Sequence, residues 1–197
     1  MSASGVKDAT AIKPPALDKR GTEMLTFVTM PDLLAALSQS VAARLMARRE
    51  TVAVSESSTG GLISACLLAI PGASAYFLGG GVIYTQASRR ALLGIPDDAV
   101  RGIRSSSEPY ALLKARTIRE KLTTTWGVSE TGAAGPTGNR YGDAAGHSCV
   151  AVTGPIERAL TVETARADRE SNMWAFTRAA LDLLEACIKE AEAKAQR

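Results

Sequence analysis

The chain has 197 residues, 46% of them hydrophobic and 22% charged, which suits one globular domain with a sizeable core. A formal net charge of +3, carried by basic residues spread along the chain, excludes the clustered basic stripe of a nucleic-acid-binding protein. No apolar run approaches the roughly 18 residues a membrane span needs, so no membrane partner is expected.

Residues 1–30 are polar, contain Pro14 and Pro15, and lack periodicity. They read as a flexible N-terminal tail, a presequence, or an over-long start ahead of Met24 or Met30, leaving 31–197 as the folded domain. From Pro31, apolar residues at Leu33, Leu34, Leu37, Val41 and Leu45 recur with helical spacing. "TVAVS" at 51–55 is a short β-branched strand, and 59–70 reads as a second helix ended by Pro71-Gly72. "GGGVIY" at 79–84 is the second strand, followed by a helix over "TQASRRALLG" closed by Gly94. "SSSEPYALLKARTIREKL" starts with a serine cap and an early proline, then runs helical. "WGVSET" at 126–131 is the third strand, and a glycine-rich loop fills 132–146. "HSCVAVTG" and "RALTVETAR" form a hairpin around Gly154-Pro155, and Glu170 to Ala195 is a long amphipathic helix. This alternation predicts a three-layer α/β/α single domain with a mixed, mostly parallel sheet, the hairpin supplying its antiparallel part.

Three separated cysteines, Cys66, Cys149 and Cys187, read as buried free thiols of a cytoplasmic protein, and one histidine with no paired-ligand spacing implies no metal. In an open α/β sheet, ligands bind beyond the carboxyl ends of the strands. Three such ends carry polar or glycine-rich sequence: Ser55 to Gly61, Tyr84 to Gln86, and Thr131 to Gly142. In the first, Thr59, Ser57 or Ser58 can cap the following helix, whose free N–H groups would then face an anion. In the third, Arg140 is a cation set among small residues. His147, at the start of a strand, is the one histidine that a Ser-His-Asp arrangement could use, or else a strand-edge residue.

These residues resemble the CinA C-terminal domain family, which includes nicotinamide-nucleotide amidohydrolases. Glu56-Ser57-Ser58-Thr59-Gly60-Gly61 matches that family's Glu-Ser-Cys-Thr-Gly-Gly, with Ser for Cys. "IPGASAYFLGGGVIYT" is similar to its Pro-Gly-Ser-Ser…Gly-x-Val-x-Tyr-Ser segment, "ALLGI" to Leu-Leu-Gly-Val, and Ser107-Glu108 to part of Val-Ser-Glu. "ETGAAGPTG" is similar to Val-Thr-Gly-Ile-Ala-Gly-Pro-x-Gly, and the likeness runs over roughly residues 33–190.

The resemblance implies hydrolysis of the carboxamide of nicotinamide mononucleotide to the acid and ammonia, with no cofactor. It makes Ser57 the nucleophile and Tyr84 a proton-handling partner, with Thr131 at the hydroxyl position before the loop. Glu56, Ser58, Thr59, Gly60, Gly61, Gly132, Gly135, Pro136 and Arg140 become substrate-binding candidates. The family's lysine falls at Arg89, which is expected in the same cleft. Arginine stays protonated, so it can hold an oxyanion or phosphate but cannot act as a base. Glu56, His147 or a Tyr84 influenced by Arg89 remain as candidate bases. A nucleotide-binding or regulatory protein with altered chemistry is the competing expectation. "YFLGGGV" and the glycine-rich loop are candidate contacts of a homo-oligomer.

Overall fold

The computed structural model of the chain describes residues 33–196; the N-terminal segment discussed above lies outside them. A five-stranded sheet has the order β2-β1-β3-β4-β5. Strand β1 (Val52–Glu56) runs parallel to β2 (Phe77–Val82) on one side and to β3 (Trp126–Ala133) on the other. Strands β4 (His147–Thr153) and β5 (Arg158–Glu163) complete the sheet antiparallel, as a hairpin requires.

Alternation along the strands divides the side chains between two helical layers. Val52, Val54, Trp126, Val128, Val150 and Val152 enter one core with helices α1 (Leu33–Arg48), α2 (Leu62–Leu68) and α5 (Arg169–Ala195). Ala53, Cys149 and Ala151 face the opposite layer, made mainly by α4 (Glu108–Leu122). A Cβ at Gly127 would lie 2.1 Å from the Ala115 carbonyl of α4. Only glycine lets that helix pack so close, and Ser129 and Thr131 follow on the same face.

The local signals explain most element ends. Ser107 accepts the Tyr110 amide at the start of α4, and Asp168 accepts that of Ser171 at 2.8 Å to start α5. Thr85 and Ser88 cap each other's backbone around the single turn α3 (Gln86–Ser88), which widens over Arg89–Leu93 and stops at Gly94 with φ 72°. The first strand runs 52–56 against the expected 51–55, and the third extends two residues past Thr131. The second starts at Phe77 and ends at Val82, so Tyr84 lies beyond it. That strand is a sheet edge with Leu78 and Val82 exposed, the segment singled out as a subunit contact.

Helix α2 departs from expectation. Its N-cap is Gly61, at φ 105°, and no side chain of the Ser-Ser-Thr run caps it. The Glu56 carboxylate does so from the end of β1. It accepts the amides of Gly61, Ile63 and Ser64 at 2.9–3.0 Å, and the hydroxyls of Thr59 and Ser64. A full negative charge on the protein therefore occupies the helix terminus that was expected to await a ligand anion.

Candidate functional site

The crossover from β1 to β2 leaves β1 on one side, and β3 lies on the other, so the chain reverses its direction of winding between β1 and β3. Crevices at such switch points are where open α/β sheets bind ligands. Here the crevice is a cavity of about 590 Å³, within the range of small-molecule sites. Ser57 enters it from the end of β1, Tyr84 from beyond β2, and Thr131 with Gly132 from the end of β3. A neighbouring cavity of about 300 Å³ shares Tyr84, Gly132, Asn139 and Arg140 and adds Ser58, Gly135 and Arg169.

Charge distinguishes this crevice from its surroundings. Arg90 and Arg140 line the larger cavity and Arg169 the smaller, and among the described lining residues there is no carboxylate. Arg169, the first residue of α5, donates to the Gly135 carbonyl at 2.8 Å, and its second nitrogen stands 3.5 Å from the Tyr84 hydroxyl. Tyr84 is 60% exposed, Tyr141 is also open, and the buried Tyr110 forms part of the wall. The site thus offers an unpartnered serine hydroxyl, a phenol, three aromatic rings and a set of cations, of which Arg90 is paired with Asp97 while Arg140 has no carboxylate partner among the described residues.

The loop that delivers Ser57 rests on a second buried carboxylate. Glu130 is fully buried in β3 and accepts the amides of Ser57 and Thr59, each at 3.0 Å. It also accepts the hydroxyls of Ser58 and Ser148. The Thr59 hydroxyl lies 2.8 Å from Glu56 and 3.0 Å from Glu130, and its single hydrogen can serve one of them at a time. Among the described residues Ser57 Oγ has no partner, so the backbone of this residue is fixed while its oxygen remains available.

Beneath the floor, on the α4 face, Lys114 is 1% exposed and donates to the Glu130 carbonyl at 2.8 Å. Burial pulls its ammonium down to about 8, against the opposing pull of the Glu130 and Glu56 charges. Its nitrogen sits 5.7 Å from the centre of the Tyr110 ring.

Several sequence expectations need correction. Arg89 does not line the crevice. It is 3% exposed and paired with Asp97, because the widened turn aims it under the 95–98 segment, while Arg90 takes the crevice side. Glu56, Thr59, Gly60, Gly61 and Pro136 do not line it either: the first two are buried in the carboxylate network, and Pro136 points to solvent. His147 is not positioned to serve Ser57, since both its ring nitrogens are engaged elsewhere, by Glu163 and the Ser106 carbonyl. Sequence reasoning missed Glu130, Lys114, Tyr110, Asn139 and Arg169. Lys114 carried a signal, because it falls in the apolar stripe with Ala111, Ala115 and Ile118.

The sequence pattern of the CinA C-terminal domain matches residues 34–188, nearly all of the described chain. The chain belongs to this family. A CinA-like protein of Anaeromyxobacter sp. (strain K) is 37% identical over 153 residues, covering 78% of this chain and 38% of that protein. One from Salinibacter ruber is 39% identical over 138 residues, covering 70% and 34%. The chain therefore spans little more than a third of the curated CinA-like relatives it matches.

The fold is shared with solved structures. A competence-damaged protein (CinA) superfamily protein from Klebsiella pneumoniae has a TM-score of 0.74 at 23% identity, over 80% of this chain and 98% of its own. The competence/damage inducible protein CihA from Agrobacterium tumefaciens has a TM-score of 0.71 at 27% identity, over 78% and 94%. Against the CinA motifs quoted above, two departures in this chain touch each other: Ser58 replaces Cys, Glu130 replaces Val, and the Ser58 hydroxyl donates to Glu130.

Proposed function

We propose that this CinA-family chain is an amidohydrolase that deamidates nicotinamide mononucleotide, or a closely related phosphate-bearing amide, to the acid and ammonia. The observation that carries the reading is the crevice itself, where Ser57, Tyr84 and Thr131 meet a positive field free of lining carboxylates. Such a field selects an anion, and Arg140 and Arg169 are the cations best disposed to take its phosphate. The exposed rings of Tyr84 and Tyr141 suit a flat heteroaromatic base.

In this reading Ser57 Oγ attacks the carboxamide carbon and gives up its proton, the C–N bond breaks, and the nitrogen leaves as ammonia. Water then hydrolyses the ester and returns the serine. Of the three candidate bases, Glu56 is committed to helix α2 and His147 to Glu163 and Ser106. Tyr84 is the proton-handling group left on the lining, with the Arg169 guanidinium beside its oxygen. Thr131 is a hydroxyl donor to the bound amide, and no metal or cofactor enters.

A second reading has its own support. The family's lysine position is occupied by an arginine buried against Asp97, so one expected proton carrier is missing from the crevice. A protein that binds the nucleotide without turning it over would look the same. Ammonia release from nicotinamide mononucleotide, measured beside calorimetric binding, separates the two. Ammonia release abolished by Ser57→Ala supports the hydrolase. Binding without release supports the second reading, and absence of binding rejects both.

A further inference from the structure

His147 opens β4 at the crevice end of the sheet, and it is the chain's only histidine. Its Nδ1 lies 2.5 Å from a Glu163 carboxylate oxygen on β5, and its Nε2 lies 2.9 Å from the Ser106 carbonyl. Both partners can only accept. A neutral imidazole has one N–H and would set the other nitrogen's lone pair against an acceptor, whereas an imidazolium donates to both. A second carboxylate, Asp143, stands 3.7 Å from Nε2.

The groups held by this ring are walls of the crevice. Ser105 and Ser106 line one side. Asp143 accepts from the Asn139 side-chain amide at 2.7 Å and from Arg104, closing the loop that presents Asn139, Arg140 and Tyr141 on the other side. We propose that His147, as an imidazolium, is a positioning residue that holds these two walls together, so that binding of a phosphate-bearing ligand in the crevice is linked to protonation of His147. This inference rests on the reading of the crevice as a nucleotide site.

The charges around the ring favour that form. Glu163 from β5 and Asp143 from the loop face it directly, while Arg104 acts at one remove, through Asp143. Cys149, two residues along β4, has its sulfur 3.8 Å from Nε2, and burial keeps its thiol neutral by raising its pKa. Glu108 of α4 bonds Thr161, two residues before Glu163. Burial of the ring opposes its charge, but the bonds to Glu163 and Ser106 and the two carboxylates outweigh it, and the net shift is upward from 6.5. A raised value means that the clamp is complete below the ordinary value and is lost as pH rises through the folded one.

The test uses the whole chain carrying Ser57→Ala, so that nicotinamide mononucleotide is not consumed. The single imidazole is titrated by proton NMR with and without the nucleotide, and affinity is measured by calorimetry at about pH 7 and about pH 9. The nucleotide's phosphate is almost fully ionised throughout that range. The free protein should titrate above 6.5, saturating nucleotide should move the midpoint higher, and affinity should fall about three- to tenfold at the higher pH. Adding Glu163→Gln, at an exposed carboxylate on β5, should lower the midpoint and shrink the ligand-induced rise, which a merely structural contact would not do. Binding that is equal at both pH values, with an unmoved midpoint, overturns this inference alone. No binding at either pH overturns it together with the nucleotide reading.

Discussion

The Glu56–Gly61 loop has two sides, built on opposite terms. On the inner side, the carboxylates of Glu56 and Glu130 are fully buried and saturated by backbone amides and hydroxyls of the loop, α2 and β4. On the outer side, Ser57 Oγ, the Tyr84 ring and Arg140 face a crevice and find few protein partners. Residues adjacent in sequence are thereby assigned to scaffold or to chemistry according to which side they face. The difference teaches that in such a polar motif the charged residue most suggestive of catalysis, Glu56, can be the one most completely consumed by the fold.

The comparison predicts opposite signatures for neighbouring substitutions. Ser57→Ala should lower ammonia release from nicotinamide mononucleotide by about a thousandfold or more while changing stability by less than about 0.5 kcal/mol. Parallel assay and denaturant melts would check it, and a variant that keeps its activity would remove Ser57 from the chemistry. Glu56→Ala should do the reverse of what its place in the motif suggests. It strands the amides of Gly61, Ile63 and Ser64, so unfolding free energy should fall by roughly 3 to 5 kcal/mol. A soluble variant with native stability would mean that water replaces the carboxylate at no cost.

Lys114 sharpens the comparison through pH. Its folded-state value of about 8 lies below its unfolded one. The cost of burying the ammonium is therefore fully present below about 8 and is relieved as pH rises toward the unfolded value near 10.5. Wild type should gain stability relative to Lys114→Met across that window, by on the order of 3 kcal/mol at most. Denaturant melts of both proteins at the two ends of the window measure this directly. A constant difference between them would show that the lysine titrates in the crevice water and not beneath the floor.

The fold was legible because its signals are local. The Ser107 cap, Gly94 at the end of its helix and the β-branched run "TVAVS" act within a few residues, and the elements they predict are present. The convergence of Ser57, Tyr84 and Thr131 was legible because parallel strands must put their carboxyl ends on one edge. What escaped was contact between distant residues: Glu130 reaching Ser57, Lys114 reaching the Glu130 carbonyl, and Arg169 reaching Tyr84. Within the partners' own segments only Lys114, set in an apolar stripe, carries a sign of burial, and none names the partner it will meet. Arg89 was misplaced for a subtler reason. The helix after Tyr84 widens, which rotates successive side chains away from the positions a regular turn would give them.

Arg89 and Arg140 provide the last and smallest contrast. The two guanidiniums were both expected at the ligand, but Arg140 lines the crevice with no carboxylate partner among the described residues, whereas Arg89 is buried on Asp97. Arg140→Ala should weaken nucleotide binding by about 1.5 to 3 kcal/mol, the value of a charge-assisted contact, and leave the melt unchanged. Arg89→Ala should leave affinity within experimental error. Its cost should appear as about 1 to 2 kcal/mol of stability, since it removes the buried stem of the side chain along with the pair. The pair itself contributes little, because Asp97 is two-thirds exposed and solvent screens its charge. Arg89→Lys, which would restore the family's residue type, should not raise ammonia release, because a lysine there would point at Asp97 and not into the crevice. Calorimetry on the two alanine variants and an ammonia assay on the lysine variant decide the matter. A loss of affinity in Arg89→Ala equal to that in Arg140→Ala would put Arg89 back at the ligand and erase the distinction between the two sides of the loop at this position.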